Sequence, residues 1–109
     1  MTEFKDKLIN SCESSNSFLC VGLDPDPKKI KSGTIFDFCK NIIDTTADVV
    51  AAYKPNLAFF EALGLDGLNA LKKLIDYIHE EYPEKLTIGD AKRGDIGSSS
   101  EKYAYALFE

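Results

Sequence analysis

A single histidine, His79, and only three cysteines, Cys12, Cys20 and Cys39, occur in the 109 residues. No Ser/His/Asp or Cys/His set can be assembled around one histidine, and the position of His79 on the polar side of a helical stretch marks it as a surface residue. The cysteines are odd in number, widely spaced and without a CxxC pair, which argues against both a disulfide framework and a zinc site. There is no Lys/Arg-rich run or basic helical face. With a net charge of −5 and interspersed acids and bases, the composition argues against a nucleic-acid partner. The opening MTEFKDKLINSCESS lacks an apolar signal core, and no stretch approaches membrane-spanning length. The expectation is a cytoplasmic protein in a reducing setting, with no membrane partner.

What is present is a 44% hydrophobic composition, in the globular range and compatible with one domain or part of one. Phe4, Leu8 and Cys12 recur at helical spacing, so the first dozen residues are expected to form a short amphipathic helix lying over something larger. FLCVGLD, residues 18–24, reads as a buried strand stopped by the Pro-rich PDPKK. TIFDFCKNIIDTTA then places Ile35, Phe38, Cys39, Ile42, Ile43 and Thr46 on one helical face, with Thr34 and Asp37 as a capping box. A second apolar run, from about Val49 to Tyr53, ends at Lys54 and Pro55. NLAFFEALG suggests one or two helical turns closed by Gly64. Asp66 is expected to cap a longer helix carrying Leu68, Leu71, Leu74, Ile75 and Ile78. LTIGDAK is the third strand, and Ser98 with Glu101 forms an S-x-x-E box opening a helix through Tyr103, Ala104, Leu107 and Phe108.

A leading helix followed by three strand–helix units implies a parallel sheet with right-handed crossovers. Apart from this alternation there is no repeat. The last helix has no Gly, Asn or Pro to stop it, so the expectation is the opening portion of a larger α/β fold.

Side chains alternate across a strand, so Leu86, Ile88, Asp90 and Lys92 point one way and Thr87, Gly89 and Ala91 the other. Cys20, Gly22 and Asp24 share one face of the first strand, against Leu19, Val21 and Leu23 on the helix-facing side. In the second, Val50, Ala52 and Lys54 align. Singly, Asp24 before Pro-x-Pro reads as a turn former, Lys54 as a snorkelling lysine, and Asp90 with Lys92 as a surface ion pair contributing about 0–1 kcal/mol. Tyr77, Tyr82, Phe59 and Phe60 read as packing residues. The recurrence of charge at three strand ends favours a site, because the carboxyl ends of parallel strands are where α/β proteins place theirs.

At DAKRGDIG the sequence resembles the orotidine 5′-monophosphate decarboxylase family, whose hallmark is D-x-K-x-x-D at the end of the third barrel strand. FLCVGLDPDP resembles the family's first strand, and AAYKPNLAFFEALG the second strand and following turn of its longer-chain branch. The three blocks keep the family's order and spacing over nearly the whole chain. The resemblance implies a (β/α)₈ TIM barrel, with residues 1–109 as the N-terminal part of a single barrel domain covering about three βα units. It further implies decarboxylation of orotidine 5′-monophosphate to uridine 5′-monophosphate, a step of pyrimidine biosynthesis, by a homodimer with no cofactor and no metal. Matched motif by motif, Asp24 and Lys54 would hydrogen-bond the ribose of the nucleotide substrate, and Lys54 would also anchor the charge array. Asp90 would sit beside the substrate carboxylate, Lys92 would protonate C6, and Asp95 would reach the neighbouring subunit's site.

That chemistry explains the charges. Loss of carbon dioxide leaves a carbanion with no cofactor to accept its electrons, and a prepositioned ammonium stabilises and then protonates it. One close charge pair contributes roughly 4 kcal/mol at an effective dielectric near 20, about three powers of ten in rate. Binding energy from the remote phosphate is required for much of the rest. The family's phosphate loops and lid follow its fifth to eighth strands, outside these 109 residues, and a barrel needs about 250 residues. Activity of this stretch alone is therefore not expected. Three alternatives compete. Mg²⁺-dependent sugar-phosphate synthases and decarboxylases of the same superfamily carry an acidic metal ligand where this chain has Lys54. Arg93–Asp95 reads as an RGD adhesion tripeptide. A non-catalytic remnant would act only as an interaction module.

Overall fold

The computed structural model describes residues 3–108. Helix α1 (Phe4–Ser15) precedes strand β1 (Cys20–Leu23), helix α2 (Ile35–Thr46), strand β2 (Ala52–Pro55), short helix α3 (Leu57–Glu61), helix α4 (Gly64–Glu81), strand β3 (Leu86–Thr87) and helix α5 (Gly97–Phe108). The three strands are parallel and adjacent in the order β1-β2-β3. The fold is α/β, a parallel three-stranded sheet with its helices, as expected for the opening units of a (β/α)₈ barrel.

One face of the sheet is closed by α2 and α4. Leu23, Tyr53 and Pro55 point into that layer and are fully buried, with Cys39, Ile43, Phe60, Leu74 and Ile78 around them. Burying a tyrosine requires a partner for its hydroxyl; Tyr53 Oη donates to Ile43 O at 2.8 Å and lies 2.9 Å from Thr46 Oγ1. The other face is open toward the carboxyl ends of the strands, although Ala52 at the start of β2 is buried there. Cys20, Gly22, Lys54 and Ile88 are all exposed on it.

Helix α2 starts as read from sequence, with reciprocal Thr34 and Asp37 bonds completing the capping box. Other boundaries differ. The second strand begins at Ala52 and includes Lys54 and Pro55, because Val49 still closes the turn after α2 through its N–H to Thr46 O. Val50 is instead a core residue. Asp66 does not cap α4: the helix starts at Gly64, whose φ of +67° suits glycine, and Asp66 lies in its first turn. Ser98 and Glu101 form no capping box, since α5 already begins at Gly97 and Ser98 is inside it. That helix buries none of its described residues, so Tyr103, Leu107 and Phe108 remain exposed.

Helix α1 lies at the amino ends of the strands, but Phe4 and Leu8 are exposed and Cys12 is half-buried. Its anchor is polar: Ser11 is fully buried and donates to Ala51 O. Sequence periodicity misses this because a serine scores as surface. Lys85, also buried, donates to Val50 O at 2.7 Å and ties the same strand entrances together.

The regular part of β3 is only two residues, against the seven-residue LTIGDAK. Pairing nevertheless continues beyond it: Ile88 N donates to Tyr53 O at 2.9 Å, Asp90 N to Pro55 O at 3.2 Å, and Leu57 N to Asp90 O at 3.1 Å. The donor missing from this alternation belongs to Pro55, which has no amide hydrogen and removes one rung from the middle of the ladder.

Close approach of α3 and α4 depends on Gly67. A Cβ there would lie 1.9 Å from Phe60 O and 2.8 Å from Leu63 Cβ, so alanine would force the two helices apart despite its better helix propensity.

Between α2 and α4, Asp44 accepts from Lys40 at 2.7 Å, from Tyr82 at 2.7 Å and from Tyr77. The Lys40 bond, then the Tyr77 bond, lower its carboxyl from 3.8 to about 2. A carboxyl depressed on folding stabilises fully above its unfolded pKa, about 3.9, and that contribution is lost as pH falls through about 2. Asp44→Asn is therefore expected to lower stability at neutral pH by about 1–2 kcal/mol, allowing for solvent screening of a partly exposed carboxylate. Urea unfolding at pH 7 and pH 2 checks this: the gap between parent and variant should close at the lower pH. A pH-independent gap would contradict the assignment.

Candidate functional site

The site is assembled where the three strands stop. On β1 the parity read from sequence holds for Cys20, Gly22 and Asp24, all exposed, and for half-buried Val21 and buried Leu23. Leu19 departs from it and is exposed. Gly22 pairs with Lys54 across β1 and β2. A Cβ on Gly22 would stand 3.4 Å from Asp24 Oδ1, so the absent side chain leaves room beside both charged residues.

Lys54 alternates with Tyr53 and Pro55, and while those two are buried it is exposed on the open face. Asp90 pairs with Lys92 at 2.6 Å, their side chains 22% and 75% exposed. The Lys92 hydrogen bond is the main cause holding the Asp90 carboxyl below its ordinary range, and the field of Lys54 acts in the same direction. By strand parity Lys54 and Asp90 share one face of the sheet, since Asp90 bridges Asn56 two residues beyond Lys54, and Lys92 is brought there by its bond to Asp90.

Lys92 does not reach Asp90 by strand alternation. It lies beyond the ladder with φ +51°, a left-handed backbone that costs a non-glycine residue of order 1 kcal/mol. The backbone thus turns back at Lys92 and places its ammonium over the carboxylate two residues earlier.

Asp24 accepts from Asn56 Nδ2 at 3.3 Å. Asn56 is also the N-cap of α3, its Oδ1 accepting from Ala58 N, and it pairs with Asp90 in an isolated parallel bridge. Asn56 therefore touches all three strand ends, a role that reading NLAFFEALG as helical turns does not reveal. The one available signal was an Asn directly before an apolar helical stretch, which is an N-cap signature.

Asp95 is not brought to the cluster. Its Oδ1 accepts from Ile96 N at 2.7 Å, and no salt bridge among the described residues includes it. Arg93 is engaged: Nη1 donates to Ala91 O at 2.6 Å and Nη2 pairs with Glu61. Its guanidinium is thus held by two acceptors, which argues against a freely presented RGD tripeptide. His79 is exposed, 3.4 Å from Thr87 Oγ1 and remote in sequence from these residues. Among the described residues no group of three or more His, Cys, Asp or Glu side chains is suited to a metal, and no helix is long and apolar enough to cross a membrane.

Comparison with known proteins bears on this geometry. Residues 17–109 match the model of the orotidine 5′-phosphate decarboxylase / HUMPS family. An orotidine 5′-phosphate decarboxylase of Christiangramia forsetii is 57% identical over 109 residues, spanning 94% of this chain and 40% of the relative. One from Parabacteroides distasonis is 50% identical, spanning 96% and 40%. The solved Leishmania donovani OMP decarboxylase superposes with a TM-score of 0.81 at 36% identity, covering 99% of this chain and 40% of that one. The chain thus spans about two fifths of the length of these curated relatives.

Proposed function

This chain belongs to the orotidine 5′-phosphate decarboxylase / HUMPS family, and from that premise we propose that the complete protein decarboxylates orotidine 5′-monophosphate to uridine 5′-monophosphate. The observation that carries the reading is the Asp90–Lys92 pair beside Lys54 on the open face at the strand ends. Asp90 stands next to the substrate carboxylate and is relieved of repulsion when carbon dioxide leaves. Lys92, a strongly hydrated point charge on a flexible stem, stabilises the carbanion and gives its proton to C6. Asp24 and Lys54 hold the ribose, and Lys54 maintains the alternation of sign. No cofactor or metal takes part in this scheme. The Mg²⁺-dependent alternative is disfavoured by Lys54 itself, a cation where that chemistry needs an acidic ligand.

The reading extends to residues 1–109 as the N-terminal part of one barrel domain, to a cytoplasmic homodimer in pyrimidine biosynthesis, and to Asp95 acting across the dimer. The exposed position of Asp95, with only a local backbone partner, supports that last role. Purified complete protein should release carbon dioxide from orotidine 5′-monophosphate in the presence of a chelator; failure to do so would refute the decarboxylase reading. Mixing two inactive complete variants, Lys92→Ala and Asp95→Ala, should restore activity, because hybrid dimers contain a site with both residues intact. Verified heterodimers without activity would exclude shared sites.

A further inference from the structure

We propose that helix α3 is a positioning bracket for Lys92, acting through the ion pair between Glu61 at its last residue and Arg93. Beyond its 2.6 Å bond to Asp90, Lys92 has little of its own to fix it: its side chain is 75% exposed and its backbone is left-handed. What closes the turn is the following residue, since Arg93 reaches back past Lys92 to donate to Ala91 O at 2.6 Å. Ala91 is buried and therefore a fixed point. The second arm of the guanidinium pairs with Glu61, so the loop is clasped to α3 as well as to itself.

Helix α3 is in turn fastened at its start. Asn56 N donates to Leu23 O at 3.1 Å and Leu57 N to Asp90 O at 3.1 Å, while the Asn56 amide holds Asp24. The helix thus spans from Asp24 and Asp90 at one end to the loop carrying Lys92 at the other. Five residues are short enough to transmit position with little bending, at about 1.5 Å of rise each. An ordinary surface ion pair would contribute little; this one differs because the same guanidinium also closes the backbone turn that aims the ammonium.

The inference rests on the decarboxylase reading for its catalytic consequence but has a readout independent of it. In the complete protein, Glu61→Ala removes the anchor at an exposed position without disturbing the core. Limited acetylation with acetic anhydride, mapped by mass spectrometry, compares Lys92 with Lys72, which pairs with Asp76 on α4 as an internal reference. Loosening the bracket should raise the Lys92-to-Lys72 labelling ratio several-fold. An unchanged ratio overturns the bracket whether or not the protein turns over.

In an active parent, kcat should fall roughly tenfold for Glu61→Ala, in keeping with the sensitivity of rate to small misplacement, while KM moves by less than about twofold. The Glu61→Ala/Arg93→Ala double variant should be no slower than Arg93→Ala alone, because both act through one clasp. Raised labelling with an unaltered kcat would overturn the catalytic positioning role. A parent without turnover would refute the decarboxylase reading, leaving the labelling ratio to decide the bracket.

Discussion

Lys92→Ala in the complete protein is expected to abolish decarboxylation while leaving uridine 5′-monophosphate binding measurable by calorimetry. The side chain is exposed and packs no core, so its truncation tests chemistry rather than folding. Two effects combine. The ammonium that would face the developing carbanion disappears, which on the scale of one close charge pair is about a thousandfold in rate, and the proton donor goes with it. Asp90 also loses the partner that chiefly holds its carboxyl down, so a fraction of it takes up a proton at a higher pH than before. Lys92→Arg should rescue little, because a guanidinium keeps its proton and presents a wider planar fork. Single-turnover measurement of carbon dioxide release separates a slow chemical step from slow product release. Near-parental rates in either variant would exclude Lys92 as the acid.

Much of the arrangement behind that prediction was legible in the sequence because it follows from period-two alternation. Once Tyr53 and Pro55 are buried, Lys54 must face the other way, and the same rule sets Asp24 against Leu23. The capping box at Thr34 and Asp37 was equally local and equally legible. The misreadings arise where a distant residue decides. The third strand reads as seven residues because nothing within LTIGDAK reveals that its neighbour supplies Pro55 instead of a donor. Lys92 has the right neighbour for a reason absent from the pattern, a left-handed turn rather than alternation. Asp44 gathers Lys40 from its own helix, Tyr77 from α4 and Tyr82 from the α4 C-cap, whereas in sequence these tyrosines read only as packing residues. Ser98 and Glu101 illustrate the opposite limit, since a correct local signature fails when the helix begins earlier, at Gly97. The roles of Asn56 and Glu61 are hidden in sequence because a short helix between a strand and a longer helix looks like a connector, whereas here its first end holds Asp24 and Asp90 and its last residue pairs with Arg93.

The largest expected effect concerns residues 1–109 expressed by themselves, which should show no decarboxylation above background. In a parallel three-stranded sheet only β2 has two partners, so β1 and β3 each present an open edge of backbone groups, a template for association with other chains. The open face carries Lys54 and Ile88 exposed, Phe18 beside it is 92% exposed, and α5 buries none of its described residues. Charges on such a face meet water, where the Coulomb interaction of a pair falls to about a quarter of its value near a protein surface. Electrostatic stabilisation of a carbanion depends on a fixed, water-excluded surround, and none is built by these residues. The phosphate loops implied by the family resemblance also lie outside them, which removes the remote binding energy that decarboxylation draws on. Assay of the purified 109-residue polypeptide beside the complete protein, with light scattering to follow association through the open edges, checks both consequences. Turnover by the short polypeptide at a rate near that of the complete protein, in a host lacking its own decarboxylase, would overturn the requirement for a closed barrel and for distant phosphate contacts together.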